Sequence, residues 1–514
     1  MLFTLALIPI LIILILMIGL RWGAARAGGA GYLSALLIAI LFFGAGPTLL
    51  AFAHTRAVLL SMDVLLIIWA AFLLYRVADE AGAIRTIGMA LPHLTADKSM
   101  QALIIGWVFA SFLQGVGGFG VPVAVIAPLL VGLGFAPLQA VIIPSLGHGW
   151  AVTFGSLGSS FQALIVSSGL TAGVLAPDSA LFLGFSAVLV GYMVAHAAGG
   201  WQDLRRLLAP VLILGVVMGA GQYFIAVSGM WNIAAFGGGL LGLVVGIPLA
   251  RRFKGQEDER EALVLKKVAV ALSGYMILIA ITLGVQLIPD IREYLGQIIL
   301  RVEFPQVVTA RGFVTPAGSG RTIPIFRHPG SILTYSSVFA YFIYKASGLY
   351  KPGSAGRILH GTISKVMSSS VSIASMVAMA VIMENAGMIE TLAQGLAQGM
   401  GRAFPLVAPW IGALGAFMTG SNTNSNVVFG ALQLRTSELL GYQAAIILAG
   451  QTAGAALASV MAPTKVVVGA STAGMAGQEG YIMRKIMVYT GLLVLLVSLL
   501  TMGSIVLDQN GLWW

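Results

Sequence analysis

The chain has no cysteine and very little charge. With none among 514 residues, disulfide frameworks and thiolate metal sites are excluded, though no compartment is chosen by that. Charged residues make up 9% of the chain, against about 25% in a soluble domain, which excludes an ordinary water-soluble globule. The six histidines (His54, His93, His148, His196, His328, His360) are scattered, so no metal-binding spacing is visible. What the chain does have is apolar sequence: 58% hydrophobic residues and a mean hydropathy of +0.96. These predict an all-α polytopic membrane protein with roughly twelve to fourteen apolar segments, some too short to span. The first run, Leu2 to Leu20, has the length of a spanning helix rather than of a signal core.

The net charge of +10 could suggest nucleic acid, but in such a chain basic cytoplasmic loops account for it, and no nucleic-acid partner is expected. Arg21 and Arg26, Arg205 and Arg206, the stretch Arg251, Arg252, Lys254, Arg260, Lys266 and Lys267, the group Lys345, Lys351, Arg357 and Lys365, and the pair Arg484 and Lys485 mark those loops. Placing them all inside puts both termini outside and makes spans of 207–228 and 230–250. Asp290 to Gly330 then becomes a long external segment, opening on DIREYLGQIIL, which reads equally as an amphipathic interfacial stretch or a plain connector.

Two stretches organise the rest. Ser111 to Ser160 holds SFLQGVGGFGVPVA and GHGWAVTFGSLGSS; Ala416 to Thr464 begins AFMTGSNTNSNVVFGALQ. Each runs as an apolar helix, breaks into Gly- and Ser/Asn-rich backbone, and turns apolar again. From Gln101 to Leu113 the helix has thirteen residues, about 20 Å at 1.5 Å each, short of the ~30 Å bilayer core. Irregular backbone at that depth must be buried or line a cavity, and paired broken helices point to a transporter's binding site.

The two stretches belong to repeats. ADEAGAIRTIG at Ala78 matches MENAGMIETLA at Met383 with an offset of 305, which also carries Phe112 onto Phe417 and Gly115 onto Gly420. Span 57–76 runs inward and span 362–383 outward by the charge rule, so the repeats are expected to be inverted. The chain then divides into N-terminal spans 1–56 and a first repeat 57–206, with its hairpin at 114–122. Linking spans 207–361 follow, with the basic loop 251–267 and external loop 289–330. A second repeat 362–480, with its hairpin at 419–426, and a C-terminal span 481–514 complete it.

Ionisable residues inside a bilayer cost roughly 2.5–3.5 kcal/mol even on the lenient scale, so Asp63, His148, Glu384 and Lys465 each need a reason. His148, in GHG, is either functional or a buried histidine bonded to a carbonyl. Lys465 either meets an anionic substrate or snorkels. Glu384 and its repeat mate Asp79 sit at span ends, where caps are common, and Asp63 lies deeper. The hairpin tips carry more: Gly115, Gly117, Gly118 and Gly120 open backbone N–H groups to a ligand. Thr419, Ser421, Asn422, Thr423, Asn424, Ser425 and Asn426 supply neutral donors and acceptors, with Gln114 and Gln451 flanking. Small residues alone would only mark tight helix packing; TGSNTNSN between apolar helices is too polar for that.

On these motifs (FLQGVGGFGVPVA, VTFGSLGSS, TGSNTNSNVVFGALQ and QTAGAALASVMAPTKVVVGASTAGMAGQEG) the chain resembles the lactate permease family over most of its length. The resemblance implies proton-coupled uptake of L-lactate, D-lactate or glycolate across the cytoplasmic membrane, by an elevator-like movement, with no cofactor beyond the coupling ion. The family's pattern carries Glu where this chain has Gln114, and in some members Asp where it has Asn422. If those acids carry the proton, this chain must use His148, Asp63, Glu384 or another ion such as Na⁺. A small carboxylate and the bilayer are the expected partners, with room for a homodimer. Other readings fit less well. A respiratory antiporter-type subunit needs a file of membrane Lys and Glu. A Ser–His protease would need His148 and Ser156 together, although one helix sets them about 12 Å apart. An anion channel would equilibrate without accumulating.

Overall fold

Apolar runs of twenty residues or more form helices here because only a helix satisfies its own backbone in lipid; glycine and proline decide where they stop. In a computed structural model, which describes residues 1–118, 120–253, 261–319 and 322–513, nearly every described segment is helical. Ten helical stretches among the described residues are long and apolar enough to cross a membrane, eleven if the bent pair Pro137–Ala151 and Gly155–Ser168 counts as one span. One of the ten, Leu208–Arg251, folds back at Gly229, where φ is +87°. Gly238 and Gly242 both lie against Met218, and Gly221 against Leu241, so its arms run antiparallel; they are the two spans expected at 207–228 and 230–250. With the short apolar helix Val121–Gly132, these account for most of the expected segments. Lys254 and Arg260 of the basic loop lie outside the described residues, as does the Lys266 side chain.

Two features depart from expectation. The helix reckoned from Gln101 to Leu113 runs from Lys98 to Val116, 19 residues. Asp97 extends it at the start: its side chain caps the Met100 N–H at 2.9 Å, so the polar DKS residues begin the helix instead of preceding it. The segment expected outside, 290–330, is not irregular throughout. After a short helix, Pro289–Leu295, three antiparallel pairs form a narrow ribbon, joining Ile299–Leu300 to Ile323–Pro324, Glu303–Phe304 to Gly318–Ser319, and Val307–Val308 to Val314–Thr315. Its tip is pinned by Ala310 N–H to the Gly44 carbonyl at 2.9 Å and by Thr315 Oγ1 to the Asn385 carbonyl at 3.2 Å. The chain then dives: the next helix, Pro329–Ala346, starts against the backbone of Leu66, near mid-length of the Pro47–Glu80 helix.

The two segments matched at an offset of 305 turn alike. Pro47–Glu80 and Ser354–Asn385 each end in a left-handed glycine, Gly82 (φ +70°) and Gly387 (φ +83°), followed by an amphipathic helix, Ala83–Ala90 or Met388–Met400. At each turn a threonine hydroxyl closes on the glycine carbonyl, Thr86 at 2.9 Å and Thr391 at 3.0 Å. The buried apolar residues form two cores. One gathers the N-terminal helices, the first two-thirds of Pro47–Glu80 and residues 366–393 and 418–432; the other gathers the Lys98–Val116 helix, the Leu208–Arg251 hairpin and the C-terminal helices. Lys98–Val116 is buried along its whole apolar window, whereas Leu2–Gly19 is 22% buried, so the broken elements sit inside and the N-terminal helix faces lipid.

A candidate substrate site at two broken helices

In the first half the backbone does the shaping. The Lys98–Val116 helix ends at Gly117, and Gly118 turns left-handed at φ +52°. A Cβ on Gly118 would fall 1.6 Å from Ser156 Oγ, so only glycine lets the tip close on that serine. Past the short Val121–Gly132 helix, Pro137–Gly147 gives way at His148 to a single 3₁₀ turn, Gly149–Ala151. Three consecutive left-handed residues follow, Ser156, Leu157 and Gly158 (φ +48°, +54° and +82°). Two of these are not glycine, a conformation that costs energy and is kept where the surroundings over-determine it. Gln114, 2% exposed, packs against Gly155.

In the second half side chains do the shaping. Phe404–Thr419 ends at Gly420, and Ser421 caps the Asn422–Leu440 helix by accepting from Asn424 N–H at 3.3 Å. Ala444–Ala458 leads through another 3₁₀ turn, Ser459–Met461, to Pro463–Thr472. The two 3₁₀ turns touch, with Gly149 against Val460.

The halves meet around residues 153–160. Asn422 Nδ2 donates to Thr153 Oγ1 at 3.1 Å and to Thr452 Oγ1 at 3.4 Å. Asn426 Nδ2 donates to the Ser160 carbonyl and to Thr452 Oγ1, both at 2.9 Å, and Ser160 Oγ lies 3.0 Å from Thr423 Oγ1. Ser160 and Thr423 stand in the first turns of their helices, so two helix N-termini, each a locus of partial positive charge, converge on one point. Buried side-chain atoms without a hydrogen-bond partner include Ser159 Oγ and the Oδ1 atoms of Asn422 and Asn426, on or beside the residues that make these contacts, and Gln114 Oε1 and His148 Nε2 on the elements that frame them; Asn424 turns its amide to Ser372 on another helix. Buried polar groups are normally satisfied, so this set fits a polar ligand.

The Gly115–Gly120 and Thr419–Asn426 tips are not hydrogen-bonded together among the described residues. The 153–160 segment stands between them, meeting Gly118 through Ser156 and the Asn422–Asn426 turn through Thr153 and Ser160. Thr153, Ser156, Ser160 and Thr452 were therefore missed as site residues; the Ser/Gly run GSLGSS was the signal for two of them, Ser156 and Ser160. His148 is fully buried; its Nδ1 donates to the Pro144 carbonyl at 2.6 Å, and no serine reaches the ring, so the Ser–His protease pairing does not form. Half-buried Lys465 donates from Nζ to Ser459 Oγ at 3.0 Å. Thr419 bonds the Gly415 and Ser421 carbonyls, and Gln451 is committed to Ser425 and Gln433; both support the tip from behind. Asp63 and Glu384 lie elsewhere. Glu384 meets Arg56 at 3.5 Å, beside a cavity of about 520 Å³ between the Pro47–Glu80 and Ser354–Asn385 helices and the two site helices. Among the described residues no group of three His, Cys, Asp or Glu side chains could hold a metal.

Ten or eleven apolar helices, with two of the interior ones broken at touching 3₁₀ turns around a neutral polar cluster, define a multi-pass membrane transporter. The fold agrees with the solved Alcanivorax borkumensis YdaH transporter, at a TM-score of 0.50 over 90% of this chain and 89% of that one, with 13% identity. The L-lactate permease family profile matches residues 3–507, and the chain belongs to that family. It is 26% identical to the L-lactate permease of Bacillus subtilis strain 168 over 96% of this chain and 94% of that protein. It is 25% identical to the glycolate permease of Escherichia coli strain K12 over 97% and 94%. These relatives are permeases, not enzymes.

Proposed function

We propose that the chain carries a small 2-hydroxymonocarboxylate, lactate or glycolate, across the cytoplasmic membrane together with a proton. The observation that carries this is the convergence of two helix N-termini at Ser160 and Thr423, which suits a carboxylate without committing a fixed cation to the membrane interior. Because the His148 Nδ1–H donates to a carbonyl, Nε2 of the neutral ring is an acceptor, matched to the substrate's 2-hydroxyl. Lys465 adds long-range attraction. An inverted-repeat, elevator-like motion with both termini outside completes the reading, and a co-bound proton cancels the anion's charge before the site crosses low dielectric. That the relatives are named for L-lactate and glycolate supports this substrate class.

A second reading has its own support. The orphaned oxygens of Asn422 and Asn426, beside the Thr452 hydroxyl they share, are hard, uncharged ligands suited to Na⁺. Uptake of labelled L-lactate, D-lactate and glycolate into proteoliposomes separates the two. Accumulation that follows an imposed pH gradient and survives replacement of sodium by choline establishes proton symport. Accumulation that needs sodium establishes the alternative, and equilibration without accumulation removes both in favour of a facilitator or channel. No uptake of any of the three moves the substrate elsewhere.

A further inference from the structure

The cavity of about 520 Å³ beside Glu384 is walled by the same two helices that carry the candidate site. Gly155–Ser168 and Asn422–Leu440 run parallel. Ser160 touches Thr423 near their starts, and a Cβ on Gly430 would fall 2.1 Å from Ser167 Oγ near the end of the first. Val427, on the cavity wall, directly follows Asn426, and Val166, also on the wall, lies six residues beyond Ser160, about 9 Å of helix. The Pro47–Glu80 helix contributes Leu60 to the wall. One turn further along it, Asp63 accepts from His328 Nε2 at 2.7 Å and from Gln162 Nε2 at 2.9 Å, tying that helix to Gly155–Ser168 between cavity and site.

The roof is the ribbon. Phe313, Val314 and Pro316 line the cavity, and Thr315 fastens the ribbon to the Asn385 carbonyl, next to Glu384. A second cavity, of about 230 Å³, lies under the same ribbon against Phe52 and Phe304. The two cavities share Arg56, Pro316 and Glu384, so the Arg56–Glu384 ion pair stands at their junction. Its side chains are 33% and 40% exposed, and charges that open belong in water rather than lipid. At about 30 Å³ per water molecule, the inner cavity has room for a small carboxylate with water around it.

Two guanidiniums face the inner cavity, and their situations differ. Arg435 is held by Glu390 through Nε and Nη2, and by Glu438 at 2.9 Å, so its fork is occupied. Arg56 has one ion-pair partner among the described residues, Glu384 at 3.5 Å, longer than a normal hydrogen bond. An arginine carries five N–H donors in a fork that fits a carboxylate with two parallel bonds. Arg56 therefore retains donors for a second carboxylate. The lining sets three glutamates against two arginines, so it exerts no net pull on an anion. An arriving carboxylate is held by taking the place of Glu384 on Arg56, and held weakly, which suits a stop that the substrate must also leave.

We propose that the two cavities form the path by which the carboxylate reaches the site, and that Arg56 is its docking residue on that path. This rests on the carboxylate-transport reading above. The path runs under the ribbon, past the Arg56–Glu384 pair, and along the groove between the two site helices toward their N-termini. Glu384 keeps Arg56 turned into the junction while no substrate is there, and the ribbon's bond to Asn385 keeps Glu384 in place. Glu384 is then the substrate's competitor for Arg56 and not the carrier of a proton.

The test uses purified full-length protein in proteoliposomes and reads exchange of labelled for unlabelled L-lactate, which needs no net ion movement. Arg56→Gln is expected to raise the KM for exchange about three- to fivefold with little change in maximal rate. Glu384→Gln, which removes the competitor, should lower it. An ion pair with a structural role alone would impair both variants alike; any pattern other than opposite shifts in KM overturns the proposal. The chain has no cysteine, so Ala431→Cys places a single thiol on the half-buried wall of the inner cavity. The anionic reagent sulfonatoethyl methanethiosulfonate should label it, more slowly when L-lactate is present. Adding Arg56→Gln should slow this reagent but not its cationic trimethylammonioethyl counterpart. A rate that L-lactate leaves unchanged, or a ratio of the two reagents that Arg56→Gln leaves unchanged, also overturns the proposal. If Arg56→Gln does not fold, protection of Ala431→Cys by L-lactate decides alone. Wild type that exchanges no hydroxy acid refutes the transport reading instead, and the two reagents still test the anion path independently of that result.

Discussion

The two halves of the chain make the same turns from different materials. In the first half the break is made by Gly118 and the left-handed run Ser156–Gly158, backbone conformations that leave few side chains at the tip. In the second half it is made by a Ser421 cap and the Asn422–Asn426 amides, which reach across to Thr153, Ser160 and Thr452. The order of breaks and 3₁₀ turns is similar in the two halves, and the chemistry is not. One half supplies a shape with little tolerance for a methyl group; the other supplies hydrogen bonds to fill it.

That contrast is breakable. The largest effect is expected on the amide side: Asn426→Leu strips the Ser160 carbonyl and the Thr452 hydroxyl of a buried donor, at roughly 1–3 kcal/mol for each unsatisfied group. Asn422→Leu does the same to Thr153. Uptake should be abolished in both while the protein still reaches the membrane, as read by transport beside fluorescence-detected size exclusion; full activity in both would remove the amides from the site.

Next comes the backbone side. Gly118→Ala places a Cβ on Ser156 Oγ and forces a left-handed alanine, so uptake and melting temperature should both fall. Adding Ser156→Gly should recover the steric part but not the dihedral part, leaving a coupling between the two sites in a double-mutant cycle. Simple additivity would show that the contact carries no constraint.

A smaller effect separates the matched turns. Gly82 and Gly387 share a left-handed φ, but a Cβ on Gly82 meets nothing within 4 Å, whereas one on Gly387 meets the Phe313 ring at 2.8 Å. Gly82→Ala should cost about 1 kcal/mol, the left-handed penalty alone. Gly387→Ala should cost measurably more in thermal unfolding, and equal losses would mean that the ribbon does not press on that turn.

The smallest effect concerns the Glu390–Arg435 pair, an ion pair on the second half with no counterpart named in the first. Hydrogen bonding from Arg435 holds the Glu390 carboxyl below its ordinary value of 4.5, outweighing partial burial. A depressed carboxyl contributes stability above its unfolded value and loses it as pH falls through the folded one. The melting-temperature advantage of wild type over Arg435→Gln, a few tenths of a kcal/mol for so exposed a pair, should therefore be present at pH 7 and shrink below pH 4.5. An advantage that does not change with pH would assign it to packing.

Much of this was legible in one dimension. Long apolar runs must become helices in lipid, so the spans and even the Gly229 hairpin could be read from hydropathy and punctuation. TGSNTNSN stood out because polar residues between apolar helices need partners. His148, Asn422, Asn424 and Asn426 were named on those grounds, and each carries a buried side-chain atom without a hydrogen-bond partner. Thr153, Ser160 and Thr452 were passed over, because a threonine or serine inside an apolar run most often bonds its own helix. Nothing local distinguishes the two threonines, and only the GSLGSS run marks Ser160. His328 was hidden at the end of the long segment 290–330, and the antiparallel ribbon before it is built from pairs of only two residues each, too short for alternation to register.

The sequence by itself determined the membrane class, the places where helices break and the family to which the chain belongs, since each depends on composition, spacing or contiguous motifs. Only the tertiary structure decided which broken ends meet, and that Asp63 has a histidine and a glutamine for company. Those contacts join residues 99 to 269 positions apart, and a hydrogen bond between them exists only after helices have packed. Periodicity can orient a side chain toward the interior, but which atom waits there is settled by the fold.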